Sequence, residues 1–413
     1  MRAAGLDKPL LITTAALSGV GLAVLYSAGQ TDVQTAASGI WERQALWLLV
    51  GSVAAALVYR VSPRLIEWAA PAVYGGGILL LAVTLLFGTG AGTAAGSKSW
   101  ITIFGVRLGQ PAELAKLATI LMLARNLEAR REAPPTLRDL LPPCFIAGVP
   151  MLLVALQPDL GSALVFVGIL FATLFWVGTN PWLLVLLASP LISLLMAFST
   201  MSWGAWIVVL TALLIWLRPY LLEGLAVWLG NVVMGVLALQ LWRRLAPYQQ
   251  NRLLSFLDPE IDPRATGWHI IQSKVAIGSG GLLGKGFTQG TQKRLAFLPA
   301  QHTDFVFSVV GEELGFVGVV VTIGLFAALL LILVRIARRA TDPFSCVVVF
   351  GVAGLIFTHI LENIGMTVGL MPITGIPLPF FSYGGSFMLT GCIGIGLTLR
   401  AAWEGRLAGY AEL

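Results

Sequence analysis

The stretch FVFSVVGEELGFVGVVVTIGLFAALLLILV, residues Phe305 to Val334, decides what kind of protein this is. As a helix, a run of this length rises about 45 Å, whereas the hydrocarbon core of a bilayer is about 30 Å thick. The run is therefore longer than one crossing, and its start projects beyond the membrane, with Glu312 and Glu313 one to three turns in from the membrane entry at His302 and Asp304. Similar apolar runs recur on both sides of it. Spans are expected near Leu10–Ala28, Ala45–Val61, Trp68–Phe87, Pro111–Leu127, Leu140–Leu156, Leu160–Val177, Pro181–Phe198, Trp203–Leu217, Gly224–Leu241, Phe305–Val334, Phe344–Leu370 and Tyr383–Ala402, about twelve in all.

Composition says the same. Of 413 residues, 57% are hydrophobic and 11% charged. A soluble domain carries about 25% charged residues, so this chain could not cover a soluble fold. The fold class expected is an all-α, polytopic helical membrane protein, a single integral membrane domain over residues 1–413. The first run, from Leu10, reads as a span that stays in place and not as a cleaved leader. Cys144, Cys346 and Cys392 sit singly in apolar runs and offer neither a metal spacing nor a disulfide framework.

The net charge of +6 is read as orientation, not as nucleic-acid binding. The short loops RNLEARREAPPTLR (Arg125–Arg138) and RIARRATDP (Arg335–Pro343) are strongly basic, which places them, and both termini, in the cytoplasm. Arg60, Arg64, Arg218, Arg400 and Arg406 then fall inside too. The Gly-rich loop Gly88–Gln110 and the long loop Trp242–Asp304 fall outside. The long loop carries many Lys and Arg, and long loops are largely exempt from the orientation rule. It is either a solvated basic loop or a surface for an anionic ligand.

Six segments interrupt the apolar pattern. In DPEIDP, Asp258–Pro263, each Pro pushes the preceding Asp toward extended backbone. That is either an ordinary Asx-Pro turn or a rigid carboxylate suited to general-base work. GSGGLLGKG, Gly278–Gly286, lacks the first Gly and the Ser or Thr of a P-loop, so it is read as a flexible loop, with a tight turn or close approach to a ligand as the alternative. In QPAELAKLA, Gln110–Ala118, Glu113 and Lys116 share a helix face, and each costs roughly 2.5–3.5 kcal/mol within a span, which makes function the default reading. LQPDLGSAL, Leu156–Leu164, reads as a turn with Asp159 as helix cap. FLPAQHTDFVFSVVGEELG, Phe297–Gly315, sets His302 and Asp304 at a cavity mouth without metal-ligand spacing. GLMPITGIPLPFFSYGGS, Gly369–Ser386, reads as a shaped wall of non-helical backbone.

Together these segments resemble the shape, elongation, division and sporulation (SEDS) family typified by RodA and FtsW. The likeness runs from about Trp41 to Arg400. It rests on GSKSWI and GVRLGQPAELAK, LQPDLGSAL, FLDPEIDPRATGWHIIQSKVAIGSGGLLGKG, FLPAQHTDFVFSVVGEELG and NIGMTVGLMPITGIPLPFFSYGGS. QSKVAIGSGG and GTQKRLAFLP look closer to the RodA branch. The family has a ten-span core, so the surplus is assigned to residues 181–241 as two extra spans. Phe387 stands where the family's last motif has a small residue.

The resemblance implies a peptidoglycan glycosyltransferase that polymerises lipid II in the bacterial inner membrane. It implies catalysis from the loop 242–304, with Asp262 as general base. Lys116 and Lys274 are the expected cations for the leaving pyrophosphate, ahead of Arg43 and Lys98. Glu113, Trp100, Gln272, Asp159, His302, Asp304 and Ser382 complete the expected substrate-binding set. The implied partners are lipid II and the growing glycan strand, a class B penicillin-binding protein transpeptidase, the elongation machinery and membrane lipids, with no nucleic acid. No resident metal is expected among the site residues, although a divalent cation would suit the pyrophosphate. Two other readings are a lipid II flippase and a non-catalytic scaffold. The first would want ionisable groups near the midplane, where this chain has few.

Overall fold

The computed structural model describes residues 6–32, 35–90, 98–103, 106–130, 132–245, 247–257, 266–298 and 300–411. It is a helix bundle: α1 (Lys8–Ala28), α2 (Ile40–Tyr59), α3 (Pro63–Phe87), α4 (Pro111–Glu128), α5 (Leu141–Leu156), α6 (Leu160–Trp176), α7 (Pro181–Met196), α8 (Thr200–Leu217), α9 (Leu221–Arg244), α10 (Pro247–Leu257), α11 (Thr266–Ser279), α12 (Thr291–Arg294), α13 (Val306–Arg339), α14 (Pro343–Val368) and α15 (Gly385–Ala411). Each of the twelve expected spans falls on one helix. Among the described residues, eight helices are long and apolar enough to cross a membrane, and α6 and α7 are shorter apolar helices. Between α3 and α4 the loop forms a small antiparallel hairpin, β1 (Ile101–Ile103) with β2 (Val106–Gly109).

Local chemistry sets the helix starts. Asp7, Ser62, Asp159, Asn180, Ser199 and Asp342 each cap an N-terminus by accepting a backbone N–H. Proline opens α1, α3, α4, α7 and α14, where its missing N–H costs nothing. The α14 helix is the hub. It packs on α4, α6, α11, α13 and α15, and buries Phe344, Val348, Val349, Val352, Leu355 and Ile356.

Contacts gather the basic turns at one end. Asp7 pairs with Arg335 at 3.0 Å and with Arg406. Arg400 donates to the Tyr59 carbonyl at 3.5 Å, and Arg125 to that of Glu67 at 3.4 Å. Glu223, at the start of α9, accepts from the backbone N–H groups of Leu137 and Arg138 at 3.4 and 3.3 Å. The turn after Arg218 therefore lies beside the Arg125–Arg138 loop. At the other end lie the hairpin, the 280–305 region and the 369–384 segment.

Residues 181–241 hold three helices, α7 to α9, that pack on one another and reach the bundle mainly through α7 against α6. Asn231 ties them together. Its amide donates to Ser189 Oγ at 2.8 Å and accepts from Trp206 Nε1 at 3.1 Å, while its carbonyl accepts from Ser193 Oγ at 2.7 Å. Buried polar bonds of this kind hold membrane helices together where the lipid is as apolar as leucine, at about 0.6 kcal/mol each.

Candidate active site

The long helix α13 is broken by its own glycine. Gly315 has φ 62° and ψ −159°, a conformation open only to glycine, so Val306–Leu314 and Phe316–Arg339 are separate stubs. A break leaves orphan carbonyls on one side and orphan N–H groups on the other. The glycine loop satisfies both. The N–H groups of Lys285 and Gly286 donate to the carbonyls of Glu312 and Glu313, each at 3.0 Å. The N–H groups of Phe316 and Val317 donate to the carbonyls of Gly281 and Leu282, at 2.9 and 3.1 Å. GSGGLLGKG is thus not a flexible loop: its glycines let its backbone approach that of α13 closely. A Cβ on Gly284 would lie 2.0 Å from the Glu313 carbonyl oxygen, and one on Gly315 would lie 2.3 Å from the Gly284 nitrogen. Gly315→Ala is expected to add about 1–3 kcal/mol of backbone strain before any clash is counted. A lower melting temperature in detergent checks this; an unchanged one would show that the break does not depend on glycine.

The stub before the break carries two buried carboxylates. Glu312 Oε1 accepts from Lys285 at 2.8 Å, from the Gln292 N–H at 2.9 Å and from the Thr291 hydroxyl at 3.2 Å. Glu313 pairs with the buried Lys293 at 2.6 Å and accepts from Ser27 on α1. Burial pulls Lys293 below the ordinary lysine pKa, with Glu313 opposing. Together they clamp α12 between α1 and α13.

A second buried constellation joins α4 and α14. Lys116 donates to Glu113 Oε1 at 2.8 Å and stands 3.1 Å from His359 Nε2. His359 Nδ1 lies 3.0 Å from the Pro377 carbonyl, which can only accept, so the ring proton sits on Nδ1 and Nε2 accepts from the ammonium. Phe387 stacks on the same imidazole at 4.2 Å. That gives the unexpected large residue a role as the lid on this ring. Glu362 is also buried, and neither of its oxygens has a partner among the described residues.

The Pro-Gly segment is pinned from all sides. Asn363 donates to the Ile376 and Asp304 carbonyls at 2.8 and 3.0 Å. Ser382 Oγ donates to the Thr303 carbonyl and accepts from the Leu378 N–H at 2.8 Å. Gln44 on α2 donates to the Ser382 carbonyl at 3.0 Å. Gln110 closes the ring, its N–H donating to Ser386 Oγ at 3.0 Å and its amide to Asp159 Oδ2 at 2.7 Å.

The expected site residues separate on this frame. Asp262 lies outside the described residues, as do Asp258 and Glu260. Lys116 has no exposed surface in this packing, where it pairs with Glu113 and stands against His359. Asp159 caps α6 through the Ser162 N–H at 3.0 Å and anchors Gln110. Ser382 is a buried pin. Trp100 contributes a backbone bridge to Thr89 and is half-buried. Lys274 is exposed on α11, against the start of the Pro-Gly segment; a Cβ at Gly369 would sit 2.6 Å from its Nζ. Gln272 is half-buried two residues earlier, and Arg43 and Lys98 are exposed. His302 tilts over Tyr383, and burial holds its imidazole below the ordinary histidine pKa. Burial likewise raises Asp304, against the Thr303 hydrogen bond and the Arg252 charge.

Sequence reading passed over His359, Glu362, Asn363, Lys293 and Gln44. The signal for His359 and Glu362 was a His and a Glu inside the apolar run of α14. Among the described residues, no three His, Cys, Asp or Glu side chains come together as metal ligands.

The family of cell cycle proteins designated FtsW/RodA/SpoVE matches residues 8–219 and 204–406. The peptidoglycan glycosyltransferase RodA of Treponema pallidum is 35% identical, over 95% of this chain and 96% of that protein. The peptidoglycan glycosyltransferase MrdB of Escherichia coli is 35% identical, over 95% of this chain and 92% of that protein. A solved chain from work on the structural coordination of polymerization and crosslinking by a peptidoglycan synthase complex is 30% identical. It superposes with a TM-score of 0.71, covering 97% of this chain and 98% of its own.

Proposed function

Because the chain belongs to the FtsW/RodA/SpoVE family of cell cycle proteins, we infer that it is a peptidoglycan glycosyltransferase, and we propose that it polymerises lipid II into β-1,4-linked glycan strands during cell elongation. One observation carries the reading: the motif segments among the described residues, far apart in the chain, are joined at one end of the bundle. Gln110 holds Asp159 and Ser386, Asn363 holds the Asp304 carbonyl, and Ser273 on α11 bonds Ser308 at 2.7 Å and the Thr367 carbonyl at 2.6 Å. A purely structural motif set would not need to meet on one surface.

In this proposal Asp262 is the general base. It takes the proton from the acceptor sugar's 4-hydroxyl, whose oxygen attacks the donor's anomeric carbon. The bond from that carbon to the pyrophosphate breaks with inversion, giving the β-linkage. Lys274, exposed beside the Pro-Gly segment, meets the charge developing on the leaving group. Lys116, with Glu113 and His359, holds the wall behind it. Glycan strands made from lipid II by the purified protein, alone or with a class B penicillin-binding protein, test the function. No strands from a correctly folded wild-type preparation would leave the flippase or scaffold readings in its place.

We propose a class B penicillin-binding protein transpeptidase as its partner, on the likeness to a chain from a peptidoglycan synthase complex. We place the basic end in the cytoplasm, following the positive-inside rule. Cysteine labelling of intact cells should then find position 218 protected and position 242 accessible. Labelling of position 218 from outside would invert the bundle and move the loop 242–304 to the wrong side of the membrane.

A further inference from the structure

The loop that caps the broken helix turns its backbone inward and its side chains outward. Leu282 and Leu283 are 72% and 80% exposed, yet their loop is docked by backbone hydrogen bonds on both sides of the break in α13. Two adjacent leucines in this position would be an unexplained liability in water. Their surroundings explain them. Phe316 and Val317, which the loop caps directly, are 60% and 50% exposed, and Val320, Val321 and Ile323 continue the same exposed apolar surface down α13. That surface is the side of a helix long and apolar enough to cross a membrane, so the bilayer begins where the loop sits. Beside it, Phe287 stacks on Tyr26 at 6.4 Å and Tyr26 meets Trp41 edge-on at 5.9 Å. Partly exposed aromatic rings gather where a protein crosses the headgroup level.

We propose that Leu282 and Leu283 insert into the acyl-chain region of the adjoining leaflet, so that the loop following α11 is a membrane-seated element and not a free extramembrane loop. The occupant of this surface is phospholipid, argued from its unbroken continuity with the lipid-facing side of α13. The seat fixes the height of α11, and with it Lys274, above the bilayer from which a lipid-tethered substrate arrives. The proposal rests on the membrane-spanning reading of α13, not on the glycosyltransferase activity.

The test uses the full chain with Cys144, Cys346 and Cys392 replaced by alanine. Leu283→Cys and Gln289→Cys carry an environment-sensitive fluorophore, in vesicles of phosphatidylethanolamine and phosphatidylglycerol. Position 283 should show blue-shifted emission, lose most of it to spin-labelled lipid and resist aqueous iodide. The exposed polar position 289 should do the opposite. Iodide reaching both positions alike would overturn the proposal. So would shielding at 283 without lipid quenching, because a protein would then cover the leucines. Leu282→Ser/Leu283→Ser should keep its melting temperature in detergent; a clear drop would mean that the leucines pack on protein. Neither readout depends on glycan synthesis, so failure here and failure of the enzymatic reading are told apart.

Discussion

Asp262→Asn is expected to abolish glycan synthesis in a lipid II polymerisation assay while leaving expression and melting temperature unchanged. The substitution keeps the side chain's shape but turns one acceptor oxygen into an NH2 donor and removes the proton acceptor, and a positioned general base contributes about 10²- to 10⁴-fold. Asp258→Asn should have a milder effect, because that residue is assigned to shaping the Asp-Pro turn. Strands formed at wild-type rate by Asp262→Asn would remove the base from the mechanism. Equal loss at both positions would mean that the two carboxylates act together.

The second large effect belongs to Lys116. Lys116→Ala is expected to lower stability by about 3–5 kcal/mol, because it leaves Glu113 as a buried, unpaired carboxylate. It also strips the donor from His359 Nε2. Removing the carboxylate as well, in Glu113→Ala/Lys116→Ala, should restore much of the melting temperature, since a cavity costs less than an orphaned buried charge. Polymerisation should return in step with stability, because Lys116 has no surface with which to touch a substrate. A double variant that is stable yet inactive would show that the ammonium acts on the reaction itself. Lys274→Ala supplies the contrast: an exposed side chain whose loss should reduce polymerisation with little change in melting temperature.

The two cases show what could be read from the chain and what could not. Apolar run length, Pro and Asx starts and basic turns are local quantities, and they located every helix that carries an expected span. The carboxylate of Asp159 announced a cap, whereas the glycines of GSGGLLGKG read as a flexible loop and gave no sign of the backbone they would meet. Burial of charge is not local. Glu113 and Lys116 looked alike as intramembrane charges, but whether such a pair faces a cavity depends on what packs over it. That is His359, 243 residues away, held by Pro377 and covered by Phe387. The pairing of Lys293 with Ser27, 266 residues away, is of the same kind. So is the break at Gly315, where a glycine inside an apolar run gave no sign that a loop from another part of the chain would cap both stubs. By itself the sequence determined the membrane class, the helices and the motif set. The tertiary structure alone decided which charges are spent inside the bundle and which remain available at its surface. The physical reason is that a charge is neutralised by whatever the fold brings within about 3 Å, and chain distance says nothing about that.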